Sequence, residues 1–342
     1  MTQLSLAQAL NTGLRAAMTA DDTVLLMGED IGRLGGVFRI TDGLQAEFGP
    51  ERVRDTALAE SGIVGMAIGL AHAGFRPVVE IQFDGFVYPA YDQIVSQLAR
   101  QFGRSGGSLP APIVIRIPYG GGIGAVEHHS ESPEAQFVLT PGLKVVTPAT
   151  PQDGYWMIQQ AIAAADPVIF LEPKRRYWQT GEVDVEATPP PLWSSAVRRS
   201  GADATLIAYG PAVATCLEAA EAAEADGIDL AVIDLRSLSP LDLDPVVASV
   251  QQTGHAVVVH EAARTLGLGA EIATRITNEC FYFLEAPVQR VTGYDLPYPP
   301  SRAEDEYLPG LDRILDTVEA LLDERWQTQQ KSGETGLWGW AG

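Results

Sequence analysis

Cysteine is nearly absent: of 342 residues only Cys216 and Cys280 carry a thiol. Two thiols build no disulfide framework and are too few for a zinc knuckle or an iron–sulfur cluster, so a reducing, cytoplasmic setting is expected. Long apolar runs are missing as well. No stretch approaches the ~18 apolar residues of a membrane span, and MTQLSLAQALNTGL, whose first basic residue is Arg15, lacks the form of a secretory leader. Positive charge is scarce, with 23 Lys and Arg against 44 Asp and Glu, a formal net charge of −21. Such a chain repels nucleic-acid phosphates and anionic lipid, so the expected partners are small molecules or proteins with basic surfaces, not nucleic acid or membrane. Several catalytic signatures are also absent. GGGIG and GLGLGAE tempt a nucleotide-binding reading, but neither satisfies GxGxxG, and no glycine loop ends in Gly-Lys followed by Ser or Thr. There is no HExxH pair.

What is present is β-strand pattern alternating with helix pattern. TVLLMG (Thr23 to Gly28), PVVEIQ (Pro77 to Gln82), PIVIRI (Pro112 to Ile117), LKVV (Leu143 to Val146) and PVIFLE (Pro167 to Glu172) read as buried strands. Between them, Glu60 to Ala73, Asp92 to Phe102 and Pro151 to Ala164 carry helical spacing, the last with proline at a helix start. Alternation of this kind implies a parallel sheet with helices on both faces. The proline- and acid-rich stretch Val183 to Ser200 reads as a linker. A second α/β unit follows, with strands at Ala204 to Gly210, in DLAVIDL, at His255 to Glu261 and at Pro287 to Val291. Glu306 to Arg325 reads as a closing amphipathic helix, and the polar, Gly-rich tail after Trp326 is expected to be disordered.

Few residues are candidates for chemistry. His128 and His129 are adjacent in EHHSESPE, after a glycine-rich loop that follows a strand, where open α/β sheets bind ligands. They either act there or merely cap a surface loop. Glu60 opens a glycine- and alanine-rich helix; an acid in a first turn is commonly a dipole-favoured structural choice. Phe86, Tyr88 and Tyr91 follow a strand, and such aromatics pack cores more often than they bind ligands. From the residues alone the chain is a two-domain α/β protein, an enzyme of unassigned reaction.

GED, GGVFRITDGL, RVRDTALAESGIVGMAIGLA, EIQFDGFVYPAYDQI, HHSESPE, PGLKVV, FLEPKRRYW, VIDLRSL and GYDLPYPP together resemble the beta subunit of heterotetrameric thiamine-diphosphate-dependent 2-oxo acid dehydrogenases. The resemblance runs from about Leu4 to Leu322 and is nearest the branched-chain members, whose substrate is 3-methyl-2-oxobutanoate. It implies a thiamine diphosphate-binding (pyrimidine) fold at 1–185, a linker at 186–200 and a transketolase C-terminal-like α/β domain at 201–325, followed by the tail at 326–342. It implies that Glu60 hydrogen-bonds a ring nitrogen of the cofactor's aminopyrimidine, that Leu58 and Phe86 line the ring, and that His129 serves acyl transfer to lipoyl groups. Relatives often have tyrosine at the Phe86 position, so a phenolic hydrogen bond is lost while stacking survives. The resemblance also implies a missing half. The family's Gly-Asp-Gly motif for diphosphate and magnesium belongs to the alpha subunit and has no counterpart here, so thiamine diphosphate would be shared, and magnesium held, across an alpha2-beta2 heterotetramer. The other implied partners are a 2-oxo acid and a lipoyl acyltransferase core. A structural potassium on main-chain oxygens of Ile113, Ala161, Ala164 and Asp166 is a further implication. A pyruvate- or acetoin-specific relative, and a non-catalytic scaffold that keeps the fold, are the competing readings.

Overall fold

The structure, a computed structural model, describes residues 1–323. The tail at 326–342 and the last residues of the expected closing helix lie outside the described residues. In chain order the elements are β1 (Thr2–Ser5), α1 (Leu6–Ala20), β2 (Val24–Gly28), α2 (Leu44–Phe48), β3 (Val53–Asp55), α3 (Glu60–His72), β4 (Arg76–Glu80), α4 (Ala99–Arg104), β5 (Val114–Tyr119), α5 (Glu134–Val138), β6 (Lys144–Val146), α6 (Pro151–Ala163) and β7 (Val168–Pro173). There follow β8 (Thr180–Val183), β9 (Ala196–Arg199), β10 (Ala204–Ala208), α7 (Ala212–Glu224), β11 (Leu230–Asp234), β12 (Ser237–Ser239), α8 (Asp244–Thr253), β13 (Ala256–Ala263), α9 (Leu268–Glu279), β14 (Gln289–Gly293), α10 (Glu304–Tyr307) and α11 (Leu311–Leu322). Short 3-10 turns cover Asp84–Ala90 and Glu127–His129.

The apolar runs become strands because they are buried on both sides, as parallel sheets require. The first sheet has the order β12-β6-β7-β5-β4-β2-β3 and is parallel except for β12. Register puts Leu26, Val78, Val114 and Val168 in one row, packed under α1 and α6. The next row, Met27, Val79, Ile115 and Ile169, faces α3 on the opposite side. Helix α1 starts at a reciprocal cap: Ser5 Oγ accepts from the Gln8 amide at 3.2 Å, and Gln8 Oε1 accepts from the Ser5 amide at 2.9 Å. Losing a cap of this kind costs about 1 kcal/mol. Thr150 caps α6 in the same sense, with Pro151 in the first turn.

The second sheet, β14-β13-β10-β11-β9, is parallel apart from β9. Strand β9 draws residues of the expected linker into this sheet, and β12, which follows β11, crosses back to pair antiparallel with β6 of the first. One apolar cluster therefore crosses between the sheets: Ile207, Ile233 and Val258 belong with Ile63, Val64 and Ile115. Two other expectations are corrected. Asp92 to Phe102 is a π-helical turn running into α4 rather than one regular helix. The closing helix is interrupted between α10 and α11, where Pro309 and Gly310 break the pattern, and only α11 buries an apolar stripe (Ile314, Val318, Leu321).

Candidate active site

The carboxyl ends of the first sheet's strands converge on one edge of the molecule, where the loops bear the candidate residues. Glu60 is the first residue of α3 and is only 8% exposed. Glu29, directly after β2, is buried beside it; burial raises its pKa and the negative charge of Glu60 raises it further. One Glu29 oxygen has no hydrogen-bond partner, so two acids share a pocket that leaves acceptor capacity unused. Leu58, by contrast, is 81% exposed: within this chain its side chain projects outward and forms no pocket wall.

Phe86 lies in the Asp84–Ala90 turn, which packs between α3 and the Glu127–His129 turn. The His129 ring stacks on Phe83 at 3.9 Å with a 21° interplanar angle and meets Phe86 edge-on at 5.1 Å. Its Nδ1 is 2.8 Å from the His128 carbonyl, which leaves Nε2 as the free ring nitrogen. The aromatic contact continues inward from Phe83 to Phe38 and then to Tyr177, whose hydroxyl donates to Glu172 at 2.5 Å. His128 is the more exposed of the pair and turns toward Glu127 at 3.5 Å. Space between the two turns is closed: a Cβ on Gly85 would come within 2.4 Å of the His128 carbonyl oxygen.

The loop carrying the histidines is pinned at both ends. The Gly120 amide donates to the Glu131 carbonyl at 2.9 Å, and the Glu131 amide donates to Asp84 at 2.8 Å. Asp84 is itself ion-paired with Lys174, and both side chains are buried. On the other limb, the amides of Gly121, Gly122 and Gly124 all donate to carboxylates of the second domain, Glu261 and Glu304. The glycine loop's amides are thus occupied from within the chain. Farther along, the Tyr209 hydroxyl donates to Glu134 at 2.7 Å, fastening α5 to the second domain.

Glu60, Phe86 and His129 therefore stand on one face, whereas Ile113, Ala161, Ala164 and Asp166 lie at the opposite, amino-terminal ends of β5 and β7 and the end of α6. There the Ala164 carbonyl accepts Arg76 at 3.0 Å, the Ile113 carbonyl accepts the Val168 amide at 2.9 Å and the Ala161 carbonyl accepts the Ala164 amide at 3.3 Å. Sequence reasoning passed over Phe83, Glu29 and Lys174. Phe83 was legible beside Phe86, and Glu29 in GED, but Lys174 sits in a basic run whose pattern reads as surface.

Residues 2–179 match the family described as transketolase, pyrimidine binding domain, and residues 194–314 match transketolase, C-terminal domain. A Leifsonia xyli protein named pyruvate dehydrogenase E1 component subunit beta is 57% identical over 319 residues, 93% of this chain and 95% of that protein. A Mycobacterium tuberculosis protein named 3-methyl-2-oxobutanoate dehydrogenase subunit beta is 55% identical over 320 residues, 93% of this chain and 92% of that one. The chain belongs to the E1 beta subunits of the 2-oxo acid dehydrogenases. Its fold is also that of a solved chain described as a split gene transketolase, inactive beta4 tetramer, with TM-score 0.76 and 22% identity over 93% of this chain and 98% of that one. The E1 beta family is thiamine-diphosphate-dependent. Identity to the pyruvate-named and the 3-methyl-2-oxobutanoate-named relatives is nearly equal, so it does not separate the two acids. Among the described residues, no helix is long and apolar enough to cross a membrane.

Proposed function

We propose that this E1 beta chain supplies the pyrimidine half of a thiamine diphosphate site and acts on branched 2-oxo acids, with an alpha subunit completing the site. The observation that carries this reading is that the buried acids Glu60 and Glu29, which feel one another's charge, and the Phe86–His129 ring pair all follow the carboxyl ends of strands of one sheet. These residues suit a polar aromatic ring: an acid for its nitrogen, an aromatic wall for its face. They do not suit a diphosphate, because the glycine-loop amides already bind Glu261 and Glu304. Diphosphate and magnesium accordingly fall to the alpha subunit. The exposed Leu58, next to Glu60, becomes a cofactor contact only when that subunit closes over it, in an alpha2-beta2 assembly.

When bound, thiamine diphosphate supplies the electron sink for decarboxylation of the 2-oxo acid. Glu60 would hydrogen-bond the aminopyrimidine and hold a proton there, Phe86 would wall the ring's face, and the surrounding side chains would exclude water. His129, its Nδ1–H donated to the His128 carbonyl, presents Nε2: as the imidazolium it gives the Nε2 proton to the lipoyl dithiolane of the acyltransferase core while the acyl group passes, and is left as the neutral ring with Nδ1–H retained. A structural potassium on the main-chain oxygens of Ile113, Ala161, Ala164 and Asp166 would sit at the far end of the sheet from this site, beside Arg76, which donates to the Ile162 and Ala164 carbonyls.

The branched-chain preference rests on the EIQF, YPAYDQ, HHSESPE and FLEPKRRY motifs; overall identity, 57% to the pyruvate-named relative and 55% to the 3-methyl-2-oxobutanoate-named one, favours neither acid. The test is thiamine-diphosphate-dependent decarboxylation by the reconstituted alpha–beta assembly in the cytoplasmic pH range. Higher kcat/KM on 3-methyl-2-oxobutanoate supports the branched-chain reading; higher kcat/KM on pyruvate replaces it.

A further inference from the structure

The loop between β5 and His129 turns several amides toward acceptors supplied from outside the loop. Gly120, Gly122 and Gly124 adopt φ of 83°, 85° and 70°, the left-handed region, so the intervening amides turn toward a common side and form a concave, positively polarised nest. The group that fills it comes from far along the chain. Glu304, the first residue of α10, accepts the Gly122 amide on Oε1 at 2.8 Å and the Gly124 amide on Oε2 at 2.9 Å. Tyr298 donates its hydroxyl to Glu304 Oε1 at 2.6 Å, and Glu261, paired with Arg175 at 2.7 Å, takes the Gly121 amide at 3.0 Å. Glu304 is buried, and a Cβ on Gly121 would fall 1.9 Å from the Tyr298 hydroxyl oxygen, so the clamp and the loop fit with no spare room.

This clamp holds the limb of the loop that Asp84 does not. Asp84 fixes the exit at Glu131, and the entry from Gly121 to Gly124 is held from the second domain, by the carboxylates of Glu261 and Glu304 and by the Tyr298 hydroxyl, which accepts the Gly122 amide at 3.3 Å. Five residues after Gly124 comes His129, whose ring must stay seated against Phe83 to aim Nε2. We infer that Glu304 is a positioning residue for His129, a carboxylate lent by the second domain to set the geometry of acyl transfer. The inference rests on the reading of His129 as the acyl-transfer histidine. Misplacement of a catalytic group by about 1 Å costs on the order of 10²-fold in rate.

The test uses the full alpha–beta assembly and two assays, decarboxylation with an artificial oxidant and acyl transfer to a free lipoyl domain. Glu304→Ala is expected to lower kcat for acyl transfer about 10²-fold, with KM for the lipoyl domain unchanged and a smaller loss in decarboxylation. Added acetate, able to enter the emptied nest, restores part of the acyl transfer; it does nothing for His129→Ala, measured in parallel. If Glu304→Ala does not assemble, Glu304→Gln keeps the volume but has one acceptor for two amides, and the same split appears at about tenfold. Wild-type acyl transfer in an assembled Glu304 variant, or an equal fall of both reactions that acetate does not relieve, overturns the inference while a damaged His129→Ala leaves the histidine's role intact. A His129→Ala assembly with normal acyl transfer overturns both.

Discussion

At the residue scale the account depends on His129 and its surroundings. The ring sits on Phe83 and against the edge of Phe86, with Nδ1 on a main-chain carbonyl. With Nδ1 committed to the main chain, Nε2 is the ring nitrogen left open, the one that the proposed acyl-transfer role requires. His129→Ala is therefore expected to cut acyl transfer to lipoyl domains by at least about 10²-fold while reducing decarboxylation with an artificial oxidant much less, as the two assays run side by side will measure. Equal loss in both would assign the ring to an earlier step. The sequence made this histidine visible through its doublet and its place after a glycine loop, but it did not reveal Phe83 as the partner. Stacking between residues 46 positions apart is a product of the loop closure by Asp84 and Glu131, and no local pattern encodes it.

At the scale of elements, the sheet carries a buried charge cluster close to the site. Arg116 on β5 bonds Glu80 on β4 at 2.7 Å and Glu172 on β7 at 2.7 and 3.0 Å, and all three are buried. Removing one partner leaves the others uncompensated, so Arg116→Ala is expected to cost about 3–5 kcal/mol in urea unfolding, against much less for a surface arginine such as Arg54→Ala. Helix α5 gives a pH dependence. Burial, with the negative charge of Glu261 adding and the Tyr209 hydrogen bond opposing, pushes the Glu134 carboxyl up from its ordinary 4.5 to about 7. The folded chain thus retains a proton that the unfolded chain releases, and the stability this contributes is fully present below pH 4.5 and lost as pH rises through about 7. The effect is on the order of 3 kcal/mol. Glu134→Gln, which keeps the acceptor for Tyr209, should lose less stability than wild type between pH 5 and pH 8 in urea titrations; parallel curves would refute the assignment. The strands and most helices were legible because apolar runs and helical spacing are local signals. Strand β12 was not: three residues after β11 leave their own domain to pair with β6, a choice made by tertiary packing. Likewise β9 lay concealed in a stretch whose prolines signalled only linker.

At the scale of the whole molecule, one apolar cluster spans the two domains, beside clusters chiefly of each domain's own, and the sheets meet at their carboxyl ends, so the second domain's carboxylates reach the loop of the first. The strong negative charge, −21, gives the surface a second use. Docking to a basic module of the acyltransferase core should be steered electrostatically, with the association rate falling steeply between 50 mM and 500 mM salt in stopped-flow measurements; a rate indifferent to salt would remove charge as the driving term. The central claim is that this E1 beta chain holds half of a divided site. Its most direct test is thiamine-diphosphate-dependent turnover of a 2-oxo acid by the chain alone, by the alpha subunit alone, by the two together, and by the mixture carrying Glu60→Gln. Turnover only in the mixture, and at least about 10²-fold lower with Glu60→Gln, is the predicted result; turnover by either subunit alone, or near-normal turnover with Glu60→Gln, would contradict it.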